Sequence, residues 1–331
     1  MAQQLTTKEQ ASKIASLEMK TQSRNLMADA WYRLMRNKAS MVGLVIIVFF
    51  AIVAIFAKQI APYSPIEIHG GKGFLPPVFI EEGPNGLNPE REFLLGTDTL
   101  GRDILSRVIY GARVSMVVGF FPTAIILVVG ILMGLTAGYI GGRVDNLLMR
   151  ITDVVYAFPD LLFFIIIMIS LRDTAIGKML NGLFLLFGAL SLINWVAVAR
   201  IVRGQVLSIK EKEYIEAARC LGASDLHIMF RYILPNCLGP VIIQTAFTIP
   251  AMIITEAILG YLGLGLRPST NPNDIFITSW GSLLLDGQSA INAQPWVLLA
   301  PAICVALVVL AFTFLGDGLR DALDPRLQGT E

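Results

Sequence analysis

Between Lys38 and Lys58 the chain runs from Ala39 to Ala57 without a charge. Those 19 residues, at about 1.5 Å each in a helix, reach roughly 28 Å, one hydrocarbon thickness. The pattern recurs five times. A second uncharged run lies between Arg113 and Arg143 and contains Gly119, Pro122, Gly130, Gly134 and Gly138, which predicts a tilted or kinked and closely packed helix. The third, Ile151 to Leu171, is broken by Pro159 between Phe158 and Asp160. The fourth is Met179 to Ala199, bracketed by Lys178 and Arg200. Tyr232 to Leu266 holds one charge, Glu256, and three prolines, so it reads as a helix plus a short interfacial piece. Pro295 to Leu315 is the sixth. Six spans use about 120 residues, over a third of the chain, in keeping with a mean hydropathy of +0.66. The fold class is an all-α polytopic membrane protein with six transmembrane helices.

Six spans place both termini on one side, and the basic residues choose which. With the N-terminus inside, the inner segments carry 17 of the 26 Lys and Arg, so both termini are expected in the cytoplasm. The first 38 residues are charged and lack an apolar centre, unlike a cleaved signal peptide, and span 1 is expected to remain as an anchor. The expected division is a cytoplasmic tail (1–38), a first membrane helix (39–60) and an external loop ending in an amphipathic helix (61–109). A membrane core (110–316) follows, with a cytoplasmic helix within 210–224 and an external loop at 267–294, and then a cytoplasmic tail (317–331).

Several functions are excluded. With 26 basic against 25 acidic residues there is no global field to recruit nucleic acid. Cys220, Cys237 and Cys304 are odd in number and far apart, and read as small core residues rather than a disulfide or metal framework. His69 and His227 are the only histidines and fall on opposite sides of the membrane, so no catalytic or metal constellation is expected. The Gly70 to Gly73 cluster lacks phosphate-loop spacing, so the chain has no nucleotide site of its own.

The functional signal lies between spans 4 and 5, where the soluble stretch Lys210 to Asp225 reads as helix, turn, helix. Tyr214, Ala217, Ala218 and Leu221 recur at helical spacing on one face. Gly222 suits the left-handed position that ends a helix, and Ser224 with Asp225 can cap the next. The small Ala217 and Ala218 let another surface approach, with one negative charge, Glu216, beside them. Such a knob suits a partner's groove.

Glu216-Ala217-Ala218, then Gly222, then Tyr232-Ile233-Leu234-Pro235 resembles the coupling-helix signature of ABC importer permeases. Leu95-Gly-Thr-Asp98, Gly101-Arg-Asp103, Ser106-Arg107, Gly111-Ala-Arg113, Gly138-Tyr-Ile-Gly-Gly142 and Gly316 to Pro325 resemble its dipeptide and oligopeptide (Dpp/Opp C-type) branch. The segment Pro268 to Ser279 is several residues longer than in that branch. The resemblance implies a type I ABC importer permease fold and a multi-pass place in the bacterial cytoplasmic (inner) membrane. It implies peptide transport with a second homologous permease, two ATPase subunits that bind ATP and Mg, and an extracytoplasmic solute-binding protein. Tyr214, Ile215, Glu216, Ala217, Ala218, Leu221, Gly222 and Ala223 would dock the ATPase. Other solutes of such permeases (an oligosaccharide, glutathione, a nickel chelate) remain open, as does a proton-coupled carrier.

Four polar residues in or beside the spans are candidates for a translocation path: Glu256, Asp160, Asn194 and Gln244. A carboxylate within a span costs on the order of 3 kcal/mol on insertion scales, so Glu256 either lines a path or is a structural group bonded within the bundle. Asp160 can instead cap a broken helix, and Asn194 and Gln244 can pair with neighbouring spans. For Arg102, Asp103, Arg107 and Arg113 the alternatives are an amphipathic helix with basic side chains snorkelling to water, or an external gate or docking site for the binding protein.

Overall fold

The computed structural model describes residues 26–83 and 86–323, and most of the expected N-terminal tail and the Asp324-Pro325 helix end lie outside them. The described residues are helical apart from connections and one isolated bridge, Thr97 to Asp103. The helices in chain order are α1 (Leu26–Arg36), α2 (Lys38–Ile55), α3 (Ile104–Ile140), α4 (Gly142–Tyr156), α5 (Asp160–Leu171), α6 (Leu183–Ile209), α7 (Glu213–Cys220), α8 (Leu234–Tyr261), α9 (Trp280–Ala290) and α10 (Pro295–Leu323). Five helical stretches are long and apolar enough to cross a membrane, and α4 with α5, bent by 78° at the break before Asp160, make a sixth if counted as one span.

The helix α3 is the hub. Its 37 residues enter two buried clusters. Ile104, Val108, Ala112 and Met116 meet α2, α9 and α10 around the fully buried Trp280. Val118, Ile126 and Leu135 meet α5, α6 and α8. Against α6 the contact is made by Gly130, Gly134 and Gly138, one small residue per turn. A Cβ on Gly134 would stand 2.6 Å from the Ala199 carbonyl oxygen and 2.7 Å from Val202 Cβ. Only a bare Cα lets the two backbones come this close.

Three expectations are corrected. The helix expected to end the external loop near 109 is no separate element, because α3 begins at Ile104 and runs unbroken to Ile140, capped by the Asp103 side chain. Span 5 is one helical stretch from Asp225 to Tyr261, without a separate interfacial piece. Its prolines are absorbed within it: Met229–Ile233 is a wider π turn, which opens the carbonyl row just where the Pro235 ring would collide. Within 267–294, Trp280–Ala290 is a helix started by a Ser279/Ser282 capping box and buried against α3, α8 and α10.

The described residues of 61–103 form an irregular cap at the end of the bundle opposite α7, and an ion cluster fastens it. Asp98, 1% exposed, accepts from Arg102 Nε at 2.7 Å and from Arg107 at 2.6 Å. Arg107 reaches on to Asp286 of α9 at 2.9 Å. Asp98 also accepts the Leu100 and Arg102 backbone N–H groups, and Ser106 accepts the Tyr63 N–H. At Gly101, φ is +80° and a Cβ would stand 2.5 Å from the His69 carbonyl oxygen, so the turn requires glycine.

Two outcomes test this architecture. Gly134→Leu is expected to destabilise the detergent-solubilised protein by about 3 kcal/mol, the upper range for overpacking, while Gly204→Ala, with nothing within 4 Å of its Cβ, stays neutral or slightly stabilising in the same thermal melts. Arg107→Met leaves buried Asp98 with Arg102 alone and takes from Asp286 its nearest cation, and is expected to cost about 3 kcal/mol, the lower end for breaking a buried pair. A loss below about 1 kcal/mol would show that the cap is held elsewhere.

Candidate functional site

The α6 helix ends at Ile209, and Lys210 then donates to the Gly138 carbonyl at 3.1 Å, tying the start of the soluble segment to the last turn of α3. The chain turns and forms α7, with Glu213 and Glu216 in its first turn and Arg219 in its last, each at the end favoured by the helix dipole. Its C-terminus is a Schellman motif. The Ala223 N–H returns to the Ala218 carbonyl at 3.0 Å, and the Gly222 N–H to that of Arg219 at 2.9 Å, with Gly222 at φ +83°. The Ser224 side chain then caps the turn Asp225–Ile228 by accepting the His227 N–H.

The orientation of α7 differs from the expected face. Ile215 is fully buried and Ala218 is 8% exposed, so this i, i+3 pair faces the bundle and neither is placed to meet a partner. Ala223 is half-buried. The exposed stripe is Tyr214, Ala217 and Leu221, with Glu216 and Gly222 beside it; Leu221 is 88% exposed. Leu226 and Phe230, beyond the Ser224 cap, are exposed too, at 67% and 49%. An exposed apolar stripe such as that of α7 marks an interaction site. Cys220, expected in a core, is exposed at the end of α7, whereas Cys237 is buried and Cys304 half-buried.

The four candidate path residues do not converge. Glu256 is fully buried among α3, α8 and α9, with Ser115 donating to Oε2 at 3.3 Å and Oε1 left without a partner. Asn194 donates to Leu190 within its own helix at 2.8 Å, and Gln244 reaches Thr248 one turn on. Asp160 is the exposed first residue of α5. No hydrogen bond or ion pair joins any two of them among the described residues.

The outer basic residues are likewise engaged inside the chain. Arg107 is 2% exposed within the Asp98 cluster and does not snorkel, Arg102 shares that cluster, and Asp103 caps α3 by accepting from Ser106 at 2.8 Å. Arg113 donates to the Ala54 carbonyl at 3.0 Å and more weakly to those of Ile55 and Ile275. The 268–279 segment is folded onto the Met179–Gly182 turn. Arg267 N–H donates to the Asn181 carbonyl, and Asn181 donates to Asp274. Hydrogen bonds from Ser269 and Asn181 hold the Asp274 carboxyl below the usual range.

Sequence reasoning missed three partners. Asp286 of α9 completes the outer cluster, Asp145 of α4 pairs bidentately with Arg203 of α6 at 2.5 and 2.6 Å, and Tyr139 meets the α7 segment. For Tyr139 the signal was its place within Gly138-Tyr-Ile-Gly-Gly142. Asp286 and Asp145 carry no spacing that would have singled them out.

Residues 126–329 match the family described as the binding-protein-dependent transport system inner membrane component, and residues 25–77 match the N-terminal TM domain of oligopeptide transport permease C. The chain is 38% identical over 306 residues, 92% of each chain, to the oligopeptide transport system permease protein OppC of Bacillus subtilis (strain 168). It is also 38% identical to the dipeptide transport system permease protein DppC of that organism, over 94% of this chain and 89% of that one. To OppC of Escherichia coli (strain K12) it is 37% identical, over 94% and 95%. Among solved structures it is similar to an inward-facing MetNI methionine ABC transporter chain, at 21% identity and a TM-score of 0.49, covering 67% of this chain and 96% of that one. With one profile matching well over half of its length and relatives above 30% identity across nine-tenths of it, the chain belongs to the family of binding-protein-dependent transport system inner membrane components.

Proposed function

We propose that this chain is one of the two permease subunits of an ATP-binding-cassette importer that carries peptides across the bacterial inner membrane. The observation that carries this reading is its 38% identity, over more than nine-tenths of the chain, with permeases named for oligopeptide and dipeptide transport. An extracytoplasmic solute-binding protein delivers the peptide, a second homologous permease completes the path, and two ATPase subunits hold ATP and Mg. Both termini and α7 face the cytoplasm, in keeping with the excess of basic residues on that side.

In this reading α7 is the coupling helix. Tyr214, Ala217 and Leu221 seat in a groove of the ATPase, and Ile215 and Ala218 bind the helix to the permease. One face is held by the bundle and the other by the motor. Closure of the ATPase pair on ATP therefore moves α7 as a rigid piece and rocks the spans between inward-open and outward-open states. Reversing such a balance from 1:99 to 99:1 takes about 5.5 kcal/mol of differential binding, supplied by nucleotide and loaded binding protein together. The chain contributes no catalytic group to hydrolysis.

Glu256, sealed among α3, α8 and α9, serves packing of the bundle rather than the path. Arg102, Asp103 and Arg107 hold the external cap in shape for the binding protein.

The expected outcome is that the tagged protein, pulled down in mild detergent, brings with it a second permease and ATPases, and that the complex hydrolyses ATP faster with peptide-loaded binding protein. Glu216→Arg leaves the chain in the membrane and abolishes that stimulation. Leu221→Asp, at an exposed position, weakens ATPase retention by about thirtyfold or more, as for an interface hot spot. Recovery of this chain alone, transporting under a proton gradient, would overturn the reading.

A further inference from the structure

The helix α7 is continuous in sequence with α6 before it and close to α8 after it, so any push on α7 loads those two directly. The hub helix α3 has no such continuity. The structure supplies a tie at Tyr139, in the last turn of α3. Its hydroxyl donates to Asp225 Oδ1 at 2.6 Å, and the Arg219 guanidinium lies over its ring, 5.5 Å from the centroid. Arg219 belongs to the last turn of α7, and Asp225 opens the next turn of helix. The Schellman turn at Gly222 and the Ser224 cap bring these two residues, six apart in sequence, onto the same tyrosine. Each uses a different part of it: the carboxylate takes the hydroxyl proton, and the cation takes the negative face of the ring. One residue earlier, the Gly138 carbonyl accepts from Lys210. Two successive residues of α3 are thus gripped by both ends of the segment that contains α7.

We propose that Tyr139 is a positioning residue for energy coupling, tying the end of α3 to the last turn of α7 and to the Asp225 turn that follows it, so that the hub helix moves with the coupling helix. This rests on the importer reading. Tyr139 touches neither solute nor nucleotide. Its effect is that displacement of α7 is shared among α6, α8 and α3. Without it, α3 follows through its packing on α6 and α8 and through the Lys210 bond to Gly138 alone, and the C-terminal end of α7 loses its direct hold on the helix that joins both buried clusters.

The test uses the full complex with its partner subunits and binding protein in proteoliposomes, with labelled tri-alanine as the probe. Tyr139→Phe keeps the ring and its cation and removes only the donated hydrogen bond; Asp225→Asn removes the charge that receives it. Each is expected to lower peptide taken up per ATP hydrolysed by about fivefold or more, the low end for coupled sites, with unchanged basal hydrolysis, subunit content and melting temperature. Because the two residues share one link, the double variant is expected to be no worse than either single one. Unchanged uptake per ATP in Tyr139→Phe, additive losses, or a loss that tracks dissociation of subunits would overturn the proposal.

A second measurement does not depend on the solute. Spin labels at Ile140→Cys and Glu213→Cys are expected to give one narrow distance, with and without nucleotide, that broadens in Tyr139→Phe. A distribution that stays narrow would remove the tie whatever is transported. A wild-type complex that neither hydrolyses ATP nor takes up peptide would instead sink the importer reading, leaving the label distances to decide the tie.

Discussion

In hydrocarbon two helices gain little by hiding apolar side chains from their surroundings, since the lipid is as apolar as leucine, so backbone approach has to hold them. The contact of Gly130, Gly134 and Gly138 with the Trp195 to Val206 face of α6 is such an approach, and the rest of the bundle is arranged around it. Because α3 is pinned to α6 along three turns, its N-terminal half is free to project and organise the second cluster around Trp280. Its C-terminal turn is delivered beside the α7 segment. One helix of 37 residues can serve both ends only because no residue within it breaks it, Pro122 included.

A helix that bridges two clusters needs both ends fixed, and the two ends are fixed by different physics. At the cap, the charges of Asp98, Arg107 and Asp286 are drawn from a loop, α3 and α9. Asp98 and Arg107 are almost wholly buried, where removing one partner is expensive. At the α7 end the partners Tyr139, Asp225 and Arg219 are more open, and each contact is individually modest. A rigid fastening suits the end that carries a fixed cap. A set of smaller, more open contacts holds the end beside α7.

The apolar runs made the membrane class and most spans legible, because length and lack of charge are set by the bilayer and need no tertiary information. What was not legible depends on which side of a helix meets which neighbour. Tyr214, Ala217, Ala218 and Leu221 share a helical spacing, yet rotation about the α7 axis turned Ala218 inward with Ile215, a choice made by the bundle surface beneath. Arg107 reads as a snorkelling cation until Asp98 and Asp286, 9 and 179 residues away, are brought to it. The prolines of α8 suggested a break that the π turn at Met229–Ile233 removed. The helix α9, at 11 residues, is too short to announce itself by hydropathy and is held by Trp280 and its capping box.

The fate of the polar candidates bears on how many chains a path requires. A peptide in transit carries unsatisfied N–H and C=O groups and two charges at its ends, and it needs polar partners at each depth. Here Glu256 is sealed, Asn194 is satisfied by its own helix, Gln244 reaches only Thr248 in its own helix, and Asp160 sits at a helix start away from them. No row of free polar groups is shared among these residues, so the wall they offer to a solute is incomplete. The face of α8 around Gln244 stays half-exposed in the single chain. The apolar stripe of α7 is likewise uncovered in the single chain. Both uncovered surfaces go with one circumstance: the hub helix α3 commits its small residues to α6 and its ends to the cap and to the α7 segment, so neither surface is closed from within the chain.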